Sequence, residues 1–166
     1  MNNKSEHLII VESPSKAKTL KRFLGQNYNV EASVGHVRDL PKSDLGIDID
    51  NGFTPKYVVS PDKKKVIASI KKAMDGASEL YIATDPDREG EAIAWHLLQI
   101  LKPSIPVKRL VFHEITQKAI TEAFSHTRTI DENLVSAQET RRILDRMFGF
   151  LVSEKLWYNV KSRLSA

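Results

Sequence analysis

Leu80-Tyr81-Ile82-Ala83-Thr84-Asp85-Pro86-Asp87-Arg88-Glu89-Gly90-Glu91 passes from an apolar run to an acidic turn within one residue. Leu80–Thr84 has the length and residue types of a buried strand, and beyond the turn Ile93, Ala94, Leu97, Leu98 and Leu101 recur on one helical face. The same sequence of events occurs earlier. Leu8–Val11 is an apolar run closed by Glu12-Ser13-Pro14-Ser15, and Ala17, Leu20 and Leu24 then predict a helix over Lys16–Leu24, capped by Ser15 and stopped by Gly25. Strands are expected at Tyr28–Val34, Tyr57–Val59 and Val107–Phe112, with helices from Ser60-Pro61-Asp62 to Met74 and from Thr116, its cap, to Phe124. Gly35–Thr54, rich in Gly, Pro, Asp and Asn, reads mostly as loop. A longer helical pattern runs from Asp131 towards Trp157. Strands alternating with helices predict an α/β fold, a mainly parallel sheet with helices on both faces. A boundary near His126–Asp131 divides residues 1–128 from the start of a helical unit at 129–166.

Composition narrows the chemistry. The 166 residues include no cysteine, which excludes disulfides, iron–sulfur ligation and thiolate catalysis. No apolar run reaches the ~20 residues of a membrane helix, and the polar Met1–His7 has no signal-peptide layout, so a cytoplasmic location is expected. The formal charge is +4, and all of the excess lies after Thr140, where six basic residues meet two acidic ones. A local basic face suits a polyanion, although a solvated helix face has the same count.

The acidic residues stand where an α/β sheet binds its ligands, beyond the carboxyl ends of strands. Glu12 follows one strand, and Asp85, Asp87 and Glu89 follow another. Carboxylates with no His or Cys beside them make a hard, oxygen-only donor set that suits Mg²⁺. Asp85-Pro86 also has the form of a helix cap with proline at the first helical position. The spacing alone favours capping, whereas two acidic strand ends together shift the balance towards metal. The two roles are compatible. Lys16, at a helix start, can hold a phosphate or donate a proton. No GxxxxGK[ST] occurs, which argues against an ATP site. His96, in an apolar helical run, reads as a core residue, His36 lies in a polar loop able to reach the same crevice, and Lys63-Lys64-Lys65 reads as a solvated helix start.

Three stretches carry a resemblance: Val11-Glu12-Ser13-Pro14-Ser15-Lys16-Ala17-Lys18-Thr19, Ser33-Val34-Gly35-His36-Val37-Arg38-Asp39-Leu40-Pro41, and Ala83-Thr84-Asp85-Pro86-Asp87-Arg88-Glu89-Gly90-Glu91-Ala92-Ile93. Together they resemble the Toprim domain of bacterial type IA DNA topoisomerases, in the topoisomerase I branch rather than the topoisomerase III branch. Glu114-Ile115-Thr116 and Ser136–Arg146 extend the likeness into a helical domain. The resemblance implies a Rossmann-like Toprim sheet and an enzyme that relaxes negatively supercoiled DNA, with Mg²⁺ and without ATP. In that chemistry a tyrosine cuts one strand, the other strand passes, and the break is resealed. Asp85, Asp87 and Glu89 are then implied to hold Mg²⁺, and Glu12, Lys16 and Arg88 to act at the reacting phosphate. His36, Arg141, Arg142, Asp145 and Arg146 are implied to contact a single-stranded region of the DNA.

The departure concerns the nucleophile. The family's tyrosine lies in a motif ending Tyr-x-Arg, and none of Tyr28, Tyr57, Tyr81 and Tyr158 has that context. The chain is therefore expected to be an N-terminal piece of a longer, nucleoid-associated enzyme, relying on that enzyme's remaining domains and unable to relax DNA alone. His113 replaces the usual Asn before Glu-Ile-Thr. The alternatives are a stand-alone Toprim nuclease or primase-like protein, and a non-catalytic DNA-binding module whose acids are caps only.

Overall fold

The computed structural model describes residues 6–159, the side chain of Glu154 excepted. In chain order the strands are β1 (His7–Val11), β2 (Tyr28–Ala32), β3 (Arg38–Asp39), β4 (Ile47–Asp48), β5 (Thr54–Pro55), β6 (Val58–Val59), β7 (Glu79–Ile82) and β8 (Val107–Arg109). The helices are α1 (Pro14–Leu20), α2 (Lys64–Met74), α3 (Arg88–Leu101), α4 (Gln117–Ser125) and α5 (Glu132–Asn159). The main sheet has the order β2-β1-β7-β8, and all its pairings are parallel. This is the α/β architecture expected from the alternation of strands and helices.

Period-two alternation divides each strand between two cores. Leu8, Ile10, Leu80 and Ile82 face one side, where Ile67 and Ile70 of α2 and Ile93, Ala94 and Leu97 of α3 cover them. Ile9, Val11, Val30, Tyr81 and Ala83 face the other, under Ala17 and Leu20 of α1 and Ile120 and Ala123 of α4. Strands buried on both faces are therefore continuous apolar runs, which is why they stand out in the sequence.

Several local expectations are corrected. The cap of α1 is Ser13, whose hydroxyl accepts from the Lys16 amide at 3.3 Å, and not Ser15. That helix closes at Leu20, because Arg22 and Phe23 bond back to Thr19 and Leu20 in a tighter turn. The cap of α3 is Asp87 rather than Asp85: its extended backbone (φ −121°, ψ 173°) puts Oδ1 2.7 Å from the Gly90 amide. β8 ends at Arg109, short of Phe112. The Gly35–Thr54 stretch, though mostly loop, contributes β3 and β4, which pair antiparallel with β6 and β5.

α5 begins as expected after Asp131, whose carboxylate accepts from the Asn133 and Leu134 amides. It does not project freely. It packs along α3 with Val135 buried, and two of its arginines hold β3 and the loop after it (below).

Candidate active site

The sheet order creates the site. The connection from β1 leads to β2 on one side, while β7 lies on the other, so crossovers diverge between β1 and β7 and leave a crevice at their carboxyl ends. Glu12 leaves β1 there and Asp85 leaves β7. Lys16, in the first turn of α1, reaches between them, forming an ion pair with Glu12 and donating to Asp85 Oδ1 at 2.5 Å. Burial alone would lower the Lys16 ammonium, but its hydrogen bonds to Asp85 and Glu12 outweigh this and raise it above the ordinary lysine value. Both Glu12 oxygens are shut off from solvent and make no hydrogen bond of ordinary geometry. A carboxylate so placed calls for a cation, and here the ammonium supplies it.

The acidic turn is held from behind. Arg109, 1% exposed, donates through Nη2 to the Asp85 carbonyl at 2.9 Å and through Nη1 to the carbonyls of Ile82 and Leu110. Its Nε bonds Glu91 Oε1 at 2.9 Å, and Glu91 Oε2 accepts the Asp131 amide at 3.1 Å. One buried ion pair thus ties β7, β8, α3 and the start of α5 together. Gly90 is required at its position, since a Cβ there would lie 2.8 Å from the Asp85 carbonyl carbon and nearer still to its oxygen.

The expected metal ligands lie on this one turn but face different partners. Asp85 engages Lys16, Asp87 caps α3 through Oδ1, and Glu89 Oε1 lies 3.2 Å from His36 Nε2. Among the described residues no three acidic or histidine side chains are gathered closely enough to grip a metal. The donor chemistry nevertheless fits Mg²⁺: every group is a carboxylate, Asp85 and Glu89 are largely exposed to an incoming ion, and Glu12 has buried oxygens without ordinary hydrogen bonds. Arg88 is the exposed first residue of α3.

The α5 residues divide in two. Arg142 makes a bidentate pair with Asp39 at 2.8 Å for each bond, and Arg146 donates to the Pro41 carbonyl at 2.8 Å. Arg141 and Asp145 are exposed and pair loosely at 3.6 Å. Burial alone would raise the Asp39 carboxyl, but Arg142 more than offsets this and holds it below its ordinary value. Nearby, the Arg38 guanidinium lies over the adjoining rings of Tyr57 and Trp95, 5.3 and 5.2 Å from their centroids, and donates to His96 Nδ1 at 3.0 Å. A cavity of about 100 Å³ opens beside them, lined also by His36, Gln138 and Glu139. His96 is a core residue, as its apolar surroundings in the sequence suggest.

Sequence reading missed Arg109, Glu91, Arg38 and Lys63. A charged residue within a strand is a weak signal for Arg109, because a two-sided buried strand has no solvent face for it. Lys63 donates to the Val34 carbonyl at 2.8 Å with its side chain only 18% exposed, so it is not a freely solvated lysine.

Comparison with known proteins agrees with this geometry. The Toprim domain pattern matches residues 7–115. The DNA topoisomerase 1 of Synechococcus elongatus is 52% identical over 173 residues, covering 96% of this chain and 20% of the relative. That of Streptomyces coelicolor is 54% identical over 172 residues, covering 96% and 18%. Full-length topoisomerase I from Thermotoga maritima superposes with a TM-score of 0.87 at 48% identity, over 96% of this chain and 27% of that one. The chain spans about a fifth of the length of the curated relatives it matches. With the acidic turn on a parallel sheet and the pattern matched from the first strand through the turn, the chain belongs to the Toprim domain family.

Proposed function

We propose that the chain is the Toprim portion of a bacterial type IA DNA topoisomerase, which relaxes negatively supercoiled DNA by cutting, passing and resealing single strands with Mg²⁺ and without ATP. The observation that carries this reading is Lys16 lodged between Glu12 and Asp85 at the crevice between β1 and β7.

Phosphoryl transfer asks a protein for placed cations and carboxylates more than for covalent chemistry. Because its ammonium is held above the ordinary lysine range, Lys16 stays charged at neutral pH. In that form it can serve the phosphate as a fixed positive charge or donate a proton to the departing sugar oxygen. Glu12, displaced from Lys16 by an arriving phosphate, becomes the group able to take or return a proton at the sugar oxygen. Asp85, Asp87 and Glu89 would hold Mg²⁺, whose charge would offset that of the phosphate. Asp87 can do so through Oδ2 while Oδ1 keeps capping α3. His36, against Glu89, and the exposed Arg88 would act at the same crevice, and the exposed Arg141 and Asp145 would meet single-stranded DNA.

Two of the four tyrosines support a nucleophile supplied from elsewhere. Tyr81 is 6% exposed and donates to Glu79 at 2.6 Å, and Tyr57 is half-buried; burial raises both phenols above their ordinary value. Neither is poised to ionise and attack.

Mn²⁺ binding followed by electron paramagnetic resonance, with Asp85→Asn/Asp87→Asn as comparison, tests the site. Asn is as good a cap as Asp, so the double variant keeps α3. Wild type should bind and the folded double variant should bind at least tenfold more weakly; equal affinity in the two overturns the metal assignment. Metal-dependent nicking of plasmid by the chain alone would instead establish the stand-alone nuclease.

A further inference from the structure

Val34 has φ +58°, a left-handed backbone that a β-branched residue rarely adopts, and Gly35 follows at φ +79°. The Val34 side chain is 43% exposed, so core packing does not hold this conformation. Three polar contacts do. Ser33 donates its amide to the Val11 carbonyl at 2.9 Å, Gly35 donates its amide to the Glu12 carbonyl at 2.8 Å, and the Lys63 ammonium donates to the Val34 carbonyl at 2.8 Å. The turn that carries Lys63, Pro61–Lys63, is itself fixed beyond the loop. Ser60 donates its amide to the Val37 carbonyl at 3.2 Å, and Lys63 donates its amide to the Ser60 carbonyl at 2.9 Å. The Lys63 side chain is largely covered, and its ammonium also faces Asp62 Oδ2 at 3.4 Å. One short segment therefore grips the chain on both sides of His36, whose Nε2 lies 3.2 Å from Glu89 Oε1.

We infer that Lys63 is a positioning residue: it clamps the strained Val34-Gly35 turn from outside and so sets His36 against the acidic turn. Strained backbone persists where the surroundings over-determine it, and such places concentrate at functional sites. The purpose of the placement rests on the function proposed above, whereas the clamp itself is a matter of backbone geometry. The two can fail separately, because amide exchange in metal-free protein does not depend on Mn²⁺ binding.

Amide hydrogen exchange of Gly35, read by NMR on the 166-residue chain, tests the clamp, with the Ile10 and Ile82 amides as internal controls for the fold. Lys63→Met should speed Gly35 exchange at least tenfold and abolish the proximity of the His36 ring to Glu89, with the control amides unchanged. Lys63→Arg, which keeps a donor, should stay within about threefold of wild type. Val34→Gly should restore protection in the Lys63→Met background, since glycine adopts this turn without strain and needs no clamp. A merely structural lysine would not be rescued by relieving strain at another residue. Gly35 exchange unchanged in Lys63→Met, or Lys63→Met/Val34→Gly remaining as fast as Lys63→Met, overturns the inference.

Discussion

His96 shows how a single environment sets a residue's chemistry. It is 4% exposed, accepts from Arg38 on one side and meets Tyr57 edge-on at 4.4 Å. Burial, with the neighbouring Arg38 charge, pushes its pKa down to about 3. The folded protein therefore refuses a proton that the unfolded chain accepts near its ordinary value of about 6.5. Stability is fully present above about pH 6.5 and falls as the pH drops towards 3, by a few kcal/mol on the scale of about 1.4 kcal/mol per pKa unit. Asp39, held low by Arg142, adds to the loss at the acid end. Urea unfolding from pH 7 to 4 should show this slope, and His96→Gln, whose amide oxygen can still accept from Arg38, should flatten it. At Gly90 the constraint is steric. Gly90→Ala should cost about 1–3 kcal/mol, because the new methyl meets the backbone of Asp85, which Arg109 prevents from yielding. Its Mn²⁺ affinity should fall with it.

Between elements, charged groups do the joining. Arg109 and Glu91 are buried together where β7, β8, α3 and α5 converge. Removing one member strands the other's charge, so Arg109→Leu should destabilise by about 3–5 kcal/mol, and Arg109→Leu/Glu91→Leu should recover part of that in the same unfolding assay. The link from α5 to the end of β3 is more exposed. Arg142→Ala should cost only about 1 kcal/mol, since a bidentate pair at the surface is partly screened. A cycle with Asp39→Asn should show coupling between the two. This contact also bears on what was legible in advance. A run of arginines after Thr140 announces a basic helix, but not that Arg142 and Arg146 turn inward to a loop some hundred residues earlier while Arg141 stays outside. Caps behave likewise. Ser13 and Ser15, or Asp85 and Asp87, are equally good capping types, and the backbone angle that decides between them follows from where the strand before them is released.

For the whole molecule, sheet order is the deciding feature. Lys16 and Asp85 are 69 residues apart and meet because β1 lies beside β7. The proposed division of labour with the rest of a longer enzyme predicts that the chain alone leaves supercoiled plasmid unrelaxed at any Mg²⁺ concentration. Gel assays showing relaxed topoisomers from the pure chain would refute it. By itself the sequence determined the strand and helix alternation, since apolar runs and helical spacing are local signals. It also determined the acidic strand ends, the Toprim motifs and the want of a tyrosine in its expected setting. Only the tertiary structure decided which carboxylate meets which cation, that Asp87 caps while Asp85 holds Lys16, and that Arg109 braces the acidic turn, Lys63 the Val34 turn and Arg38 the buried His96. Parallel strands pair across long separations, and the partner of a charged side chain depends on which strands become neighbours and on how much water their packing removes.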